Sequence, residues 1–117
     1  MSGKITESDW KLFRKLHEIA MERFYQRTVS EIERLLLEKN GTNRDQFWNA
    51  FELMNQRRKE ASGLFDDLRR STALVQLALI YSNGLLTSEE MFRFSPETRA
   101  TVQTFLDINF GSQKLGC

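Results

Sequence analysis

The stretch Ala73–Tyr81, ALVQLALIY, is apolar in every residue except Gln76. A helix built from it has no polar face to turn toward water, so the rest of the chain must surround it. It is far shorter than the roughly 20 residues needed to span a bilayer, and its burial must therefore be inside protein. Polar residues bound it at 69–71 and at 82–84. The sequence therefore predicts a short, buried central helix.

A long helix is predicted ahead of this centre. Thr6 has the position of an N-cap, with Asp9 as the second member of a variant capping box and Ile5 packed against Trp10. No glycine or proline then occurs before Gly41, so the pattern allows one helix of about 33 residues, roughly 50 Å long. A compact domain of this size has a radius of gyration near 13 Å, and such a helix would project from it. We expect either a bend in the helix or an overhang covered by another chain.

The second helix is predicted over roughly residues 43–62, after a cap in which either Thr42 pairs with Asp45 or Asn43 pairs with Gln46. Its core stripe is expected to comprise Phe47, Ala50, Phe51, Met54, Arg58 and Ala61. Gly63 is expected to end or kink this helix. Asp66 or Asp67 is then expected to cap the central helix.

Two short helices are predicted after the centre. Residues 86–91, LTSEEM, contain a full capping box and hydrophobic staple, which start a helix running to about Phe94. Ser95-Pro96-Glu97 provides an N-cap, a first-turn proline and an acidic residue, so a fifth helix is expected to about Asn109. The predicted fold is all-α, an irregular five-helix bundle with residues 1–110 as a single domain and 111–117 as a flexible tail.

Composition narrows the classes of function. The chain of 117 residues carries 17 basic and 16 acidic side chains, so its overall field gives no steering toward nucleic acid or an anionic membrane. Charged residues interrupt the first twenty positions, which a signal peptide does not tolerate. The single cysteine, Cys117, allows no internal disulfide. We expect a cytoplasmic protein with no membrane association.

No set of residues indicates catalysis, a metal or a cofactor. The single histidine, His17, has Ala20 and Met21 at the positions where a helical metal site would place a second ligand, so a packed or hydrogen-bonded core histidine is expected. Glu18 and Glu22 share a helix face, and without a cleft they are interpreted as a solvated surface. Glycine-rich phosphate loops, GxSxG elbows and CxxC pairs do not occur in the sequence. We do not expect an enzyme.

The first helix has more apolar surface than one layer of neighbours requires. Its core stripe is predicted to comprise Trp10, Phe13, His17, Ala20, Met21, Phe24, Thr28, Ile32 and Leu35, widened by Tyr25, Val29 and Leu36. Leu12, Leu16 and Ile19 lie beyond that stripe, and Trp48 lies beside the stripe of the second helix. These four residues are the predicted interface of a homodimer, and the predicted function is a binding module acting through protein–protein contacts. The competing interpretation buries the same leucines inside the monomer.

A second hypothesis uses basic residues near the end of the second helix and ahead of the central one. They are Arg57, Arg58, Lys59, Arg69 and Arg70. If the intervening turn brought them together, they could contact the phosphates of a nucleic acid. Cations at a helix C-terminus also stabilise the helix itself, so weak nucleic-acid binding is the alternative and not the leading prediction.

Overall fold

The computed structural model describes residues 4–110, which form five α-helices and one 3₁₀ turn. The helices are α1 (Glu7–Glu38), α2 (Asn43–Phe65), α3 (Ala73–Ser82), α4 (Ser88–Met91) and α5 (Pro96–Phe110), with the 3₁₀ turn at Arg70–Thr72. The all-α prediction is confirmed, and the described range contains no strand. Within that range, no helix is both long and apolar enough to cross a membrane. The predicted tail at 111–117, including Cys117, lies outside the described residues.

The central helix α3 is confirmed at its predicted position. It packs against α1, α2 and α5, and Leu77 and Ile80 are fully buried. Gln76 is also buried, and its Nε2 donates a hydrogen bond to the carbonyl oxygen of Leu64 at 2.8 Å. The expectation that α3 has no face to water is wrong in one respect, because Val75 is 48% exposed. The helix is therefore enclosed on most of its circumference but not on all of it.

The helices α1 and α2 form an antiparallel hairpin that gives the molecule its elongated shape. The radius of gyration is 16.9 Å and the principal extents are 56 × 26 × 22 Å. These values agree with the expected projecting helix, because α1 extends away from the base formed by α3, α4 and α5 and the radius of gyration exceeds the roughly 13 Å of a compact domain of this size. Its projecting half is accompanied by α2 of the same chain, so the hairpin as a whole forms the overhang.

The tip of the hairpin is a tight turn ending in a capping box. The backbone enters the left-handed region at Lys39 (φ 49°) and again at Gly41 (φ 82°). A Cβ atom at Gly41 would collide with the carboxylate of Asp45, so this position requires glycine. Asp45 in turn accepts from the backbone N–H of Thr42 at 2.9 Å, while the Thr42 hydroxyl accepts from the Asp45 N–H at 3.1 Å. The predicted cap of α2 is confirmed.

Two expectations about the end of α2 are not met, namely a stop at Gly63 and a cap of α3 by Asp66 or Asp67. The helix continues through Gly63 to Phe65 without stopping there, and Asp66 closes it. Neither Asp66 nor Asp67 caps α3, which is entered through the 3₁₀ turn with no side-chain cap. Tertiary packing explains the extension, since Leu64 and Phe65 are both buried in the core.

Asp9 ties the start of α1 to the start of α5. Thr6 caps α1 as predicted, its hydroxyl accepting from the Asp9 N–H at 3.2 Å. The Asp9 side chain is not the return half of a capping box. It is buried, and its carboxylate accepts from the Ser95 hydroxyl at 2.6 Å, the Ser95 N–H at 3.2 Å and the Thr98 hydroxyl at 2.7 Å. This carboxylate holds the N-termini of two helices together, where both helix dipoles favour a negative charge.

Arg23 of α1 clamps the turn before α4. Its guanidinium donates to both carboxylate oxygens of Glu90, at 2.7 and 2.9 Å, and to the carbonyl of Leu85 at 2.9 Å. Glu90 also completes the predicted capping box with Thr87, which is confirmed in full. The Arg23 hydrogen bonds are the main reason that the pKa of Glu90 falls to about 2. The helix α4 ends at Met91, earlier than the expected Phe94.

Candidate protein-binding surface

The two helices of the hairpin meet along a seam of small, aliphatic and paired polar side chains. On α2 the side chains turned toward α1 are Gln46, Ala50, Leu53, Arg57 and Ala61, all buried or half-buried. Arg57 donates to both carboxylate oxygens of Glu31 at 2.9 Å. This pairing lowers the pKa of Glu31 and raises that of Arg57. Gln46 Nε2 donates to the carbonyl of Leu36 at 3.1 Å, which fixes the pairing near the tip.

Three large apolar residues of α2 lie outside that seam. Phe47 is 62% exposed, and Phe51 and Met54 are nearly half exposed. The predicted core stripe of α2 is therefore wrong for these three residues and for Arg58, and right for Ala50 and Ala61. Each exposed residue follows a seam residue by one position, which turns it by about 100° around the helix axis.

A matching stripe lies on the projecting half of α1. Tyr25, Val29 and Leu36 are exposed and Ile32 is half-buried, at the i, i+4, i+7 and i+11 positions of one helix face. The prediction that Tyr25, Val29 and Leu36 widen the core stripe is therefore wrong. Val29 and Ile32 each come one position after a residue that faces α2, namely Thr28 and Glu31.

Both stripes lie on the same side of the hairpin. A step of one residue rotates the side chain by about 100° in the same sense along each chain. Because α1 and α2 run in opposite directions, those two rotations point to the same side when the hairpin is viewed along its length. Together the two stripes form one apolar surface, called here the hairpin face, which comprises Tyr25, Val29, Ile32, Leu36, Phe47, Phe51 and Met54.

The base of the molecule does not cover the hairpin face. Arg27 of α1 donates to the carbonyls of Asn83 and Gly84, so this side of α1 is directed toward the base. Val29 follows Arg27 by two positions and is therefore turned by about 200°, close to the opposite side of the helix. The hairpin face is thus accessible along the projecting half of the hairpin.

The hairpin face is large for the surface of a monomer. A buried Phe, Tyr or Trp side chain covers about 150–250 Å², so a half-exposed one presents roughly 100 Å². Six of the seven residues are exposed by about half, which gives an apolar surface of roughly 600 Å². The largest apolar patch of a typical monomer is about 300–600 Å² and is often functional. Such a surface is typical of a binding site.

Charged residues of opposite sign border the hairpin face on its two long sides. On the α1 side, the next residues around the helix include the exposed carboxylates Glu22 and Glu33. On the α2 side, the exposed cations Arg44 and Arg58 lie along or just beyond the apolar stripe, and the exposed Lys59 and Glu52, of opposite charge, lie farther around the helix. The face therefore has one acidic rim and one basic rim.

The predicted interface residues are divided between the core and the surface. Leu16 is only 1% exposed and belongs to the chain's own core, and Leu12 packs partly against it. The prediction that Leu12 and Leu16 form an interface is therefore wrong. The competing interpretation, which buries these leucines inside the monomer, agrees with the structure. Ile19 and Trp48 are exposed. Trp48 stands at the edge of the hairpin face, with its ring 5.6 Å from that of Phe51 in an edge-to-face arrangement.

The predicted basic cluster does not form one open patch of free cations. Arg58 and Lys59 are exposed on α2, whereas the other three cations are held by carboxylates. The pairs are Arg57 with Glu31 and Glu60, Arg69 with Asp67, and Arg70 with Glu7. The Asp67 hydrogen bond raises the pKa of Arg69, as expected for a paired guanidinium. Phosphate contacts by these three would have to displace existing ion pairs.

The chemical candidates from the sequence occupy structural positions. His17 is buried as predicted, with Nε2 3.1 Å from the carbonyl oxygen of Phe65 and its ring edge-on to Phe13 and Phe65. Glu18 and Glu22 are exposed on α1. Across residues 4–110, no group of three or more His, Cys, Asp or Glu side chains is arranged to hold a metal ion.

The fold and this surface define an all-α protein whose base carries a projecting helical hairpin. Comparison with known proteins finds no matching family model, no matching curated protein and no matching solved structure. Evidence for a function therefore comes from the hairpin face itself.

Proposed function

We propose that this protein is a binding module that acts through protein–protein contacts made by its hairpin face. The observation that carries the proposal is the alignment of two apolar stripes, one from each helix, on one accessible side of the hairpin. In the monomer this surface stays in contact with water, and its burial would contribute about 25 cal/mol per Å². A partner that covers roughly 600 Å² of it recovers a large hydrophobic term.

The composition of the face agrees with that of a protein interface. Aromatic residues and methionine are enriched at interface cores, and the face contains Tyr25, Phe47, Phe51 and Met54. The Phe51 and Trp48 rings pack edge to face, and this limits the side-chain entropy that binding must remove. Apart from Arg58, which lies along the α2 stripe, the charged residues stay on the rims, where interface charges usually lie.

Site-specific photo-crosslinking in the source organism tests the proposal. A photoreactive phenylalanine analogue is placed at Phe51 in one variant and at Ile108 in the other. Ile108 lies on α5, away from the hairpin, and is 72% exposed, so it is a matched control for exposure. We expect protein adducts from Phe51 and none from Ile108. Equal yields from both sites, or no adduct from Phe51 in a folded protein, contradict the proposal.

A further inference from the structure

We propose that the hairpin face is covered by a second copy of this chain, in a two-fold dimer that places α1 of each copy against α2 of the other. This inference rests on the proposed function and specifies its partner. The paired hairpins form a four-helix bundle, and the two bases lie at the same end of that bundle.

The size of the face suits a dimer. Stable interfaces bury about 800 Å² on each partner. The apolar residues supply roughly 600 Å² of this, and the rims with Trp48 supply the remainder. A closed two-fold pair is also the commonest assembly of soluble proteins, since it buries the same patch on both copies.

The termini outside residues 4–110 are poor candidates to cover the face. The C-terminal segment 111–117, GSQKLGC, contains one large aliphatic residue, Leu115. The N-terminal segment 1–3 contains only Met1 as a large apolar residue. Neither offers the several large apolar side chains needed to cover six exposed ones.

The charges on the two rims favour one of two symmetric arrangements. A two-fold axis parallel to the helices puts α1 opposite the partner's α2, so each acidic rim, with Glu22 and Glu33, lies over a basic rim. An axis perpendicular to the helices puts α1 over α1 and α2 over α2, which opposes acidic rim to acidic rim. In both arrangements neighbouring helices are antiparallel, so the helix dipoles favour neither arrangement over the other. Charge complementarity selects the first arrangement.

The position of the base permits this arrangement. Arg27 attaches the base on the side of α1 nearly opposite to Val29, and Arg23, six positions before Val29, is turned about 120° from it. Two hairpins stacked face to face therefore keep their bases on the outside of the bundle. No part of the base within residues 4–110 stands between the two faces.

Cysteine crosslinking between two differently tagged variants tests the arrangement. Both carry Cys117→Ser, and one has Val29→Cys while the other has Met54→Cys. These positions lie near the level of the Glu31–Arg57 ion pair, so in the proposed dimer they face each other across the interface. Disulfides require Cα atoms within about 7 Å, which diagonal helices of a bundle do not reach. We expect the Val29–Met54 product at a yield at least tenfold above either homodisulfide.

Each other outcome overturns the inference in a distinct way. Homodisulfides without the mixed product indicate the perpendicular axis. The absence of any disulfide indicates that no second copy binds. In that case, photo-crosslinks from Phe51 to a different protein leave the proposed function standing, whereas no adduct from Phe51 refutes both. Crosslinking that appears only in a chain ending at residue 110 shows that the terminal segment covers the face.

Discussion

Replacing Glu90 with glutamine should show how much the ion pair with Arg23, which holds the base against α1, contributes to stability. Glutamine keeps the shape of Glu90 and can still serve in the capping box with Thr87, but it carries no charge. The pKa of Glu90 is about 2, against an ordinary value of 4.5. At 1.36 kcal/mol per pKa unit, this shift sets an upper limit of about 3.4 kcal/mol on the contribution of the ionised Glu90 to the free energy of unfolding. Because the Arg23 side chain is 37% exposed and its charge is screened, we expect a loss of about 1–2 kcal/mol at pH 7.

The pH dependence of that loss gives the sharper test. A pKa lowered by folding stabilises the native state above the unfolded value, and the contribution disappears as the pH falls through the folded value. The stability difference between wild type and Glu90→Gln should therefore be constant above about pH 5 and shrink between pH 4.5 and pH 2. Urea unfolding followed by circular dichroism at several pH values measures it. Glu89→Gln, at the exposed neighbouring position, is the control. A difference that stays constant down to pH 3 refutes the reasoning.

Three further substitutions test the account of stability by the same unfolding assay. Leu77→Ala, in the fully buried centre of α3, should cost about 2–5 kcal/mol, and a loss below about 1 kcal/mol contradicts its central position. Asp9→Ala leaves the donors of Ser95 and Thr98 without their acceptor and should cost about 2–4 kcal/mol, while adding Thr98→Val to it should cost little more. Gly63→Ala should stabilise α2 by about 0.5–1 kcal/mol, since a Cβ atom there meets nothing within 4 Å, and a loss of stability contradicts a regular helix at this position.

Local rules explain which helix boundaries could be predicted from the sequence. Thr6, Thr42 and Thr87 each cap the helix that follows, as their spacing predicts. A cap depends on atoms three residues apart, so no knowledge of the fold is needed to recognise it. The same rule fails at Asp66 and Asp67, because α3 is held by burial on most of its surface and begins without a side-chain cap.

The orientation of α2 could not be predicted because its most apolar stripe is not its core face. A periodic pattern assigns Phe47, Phe51 and Met54 to the interior by size and hydrophobicity. The seam instead uses Ala50, which permits close approach of the helices, and Arg57, which pairs with a carboxylate 26 residues away. The signal available in the sequence was an excess of apolar surface in both helices of the hairpin. The notion of an interface stays a prediction, and it was assigned to the N-terminal half of α1, whereas most of the exposed apolar residues of the hairpin lie on the other half of α1 and on α2.

The role of Asp9 also lies beyond local pattern. Its partners Ser95 and Thr98 are 86 and 89 residues away, and the spacing from Thr6 to Asp9 resembles an ordinary capping box. Only the fold brings the two helix starts together. The same limit applies to Arg23, whose bond to Glu90 spans 67 residues.

Sedimentation equilibrium at micromolar concentration tests the central claim, that the hairpin face is a binding surface filled by a second copy. The chain mass is 13.8 kDa. We predict twice that mass for the wild type and for the control Ile108→Glu, which alters an exposed apolar residue elsewhere. The double variant Val29→Glu, Phe51→Glu should sediment at the monomer mass with unchanged helical circular dichroism. A wild-type mass of 13.8 kDa throughout this concentration range contradicts the claim.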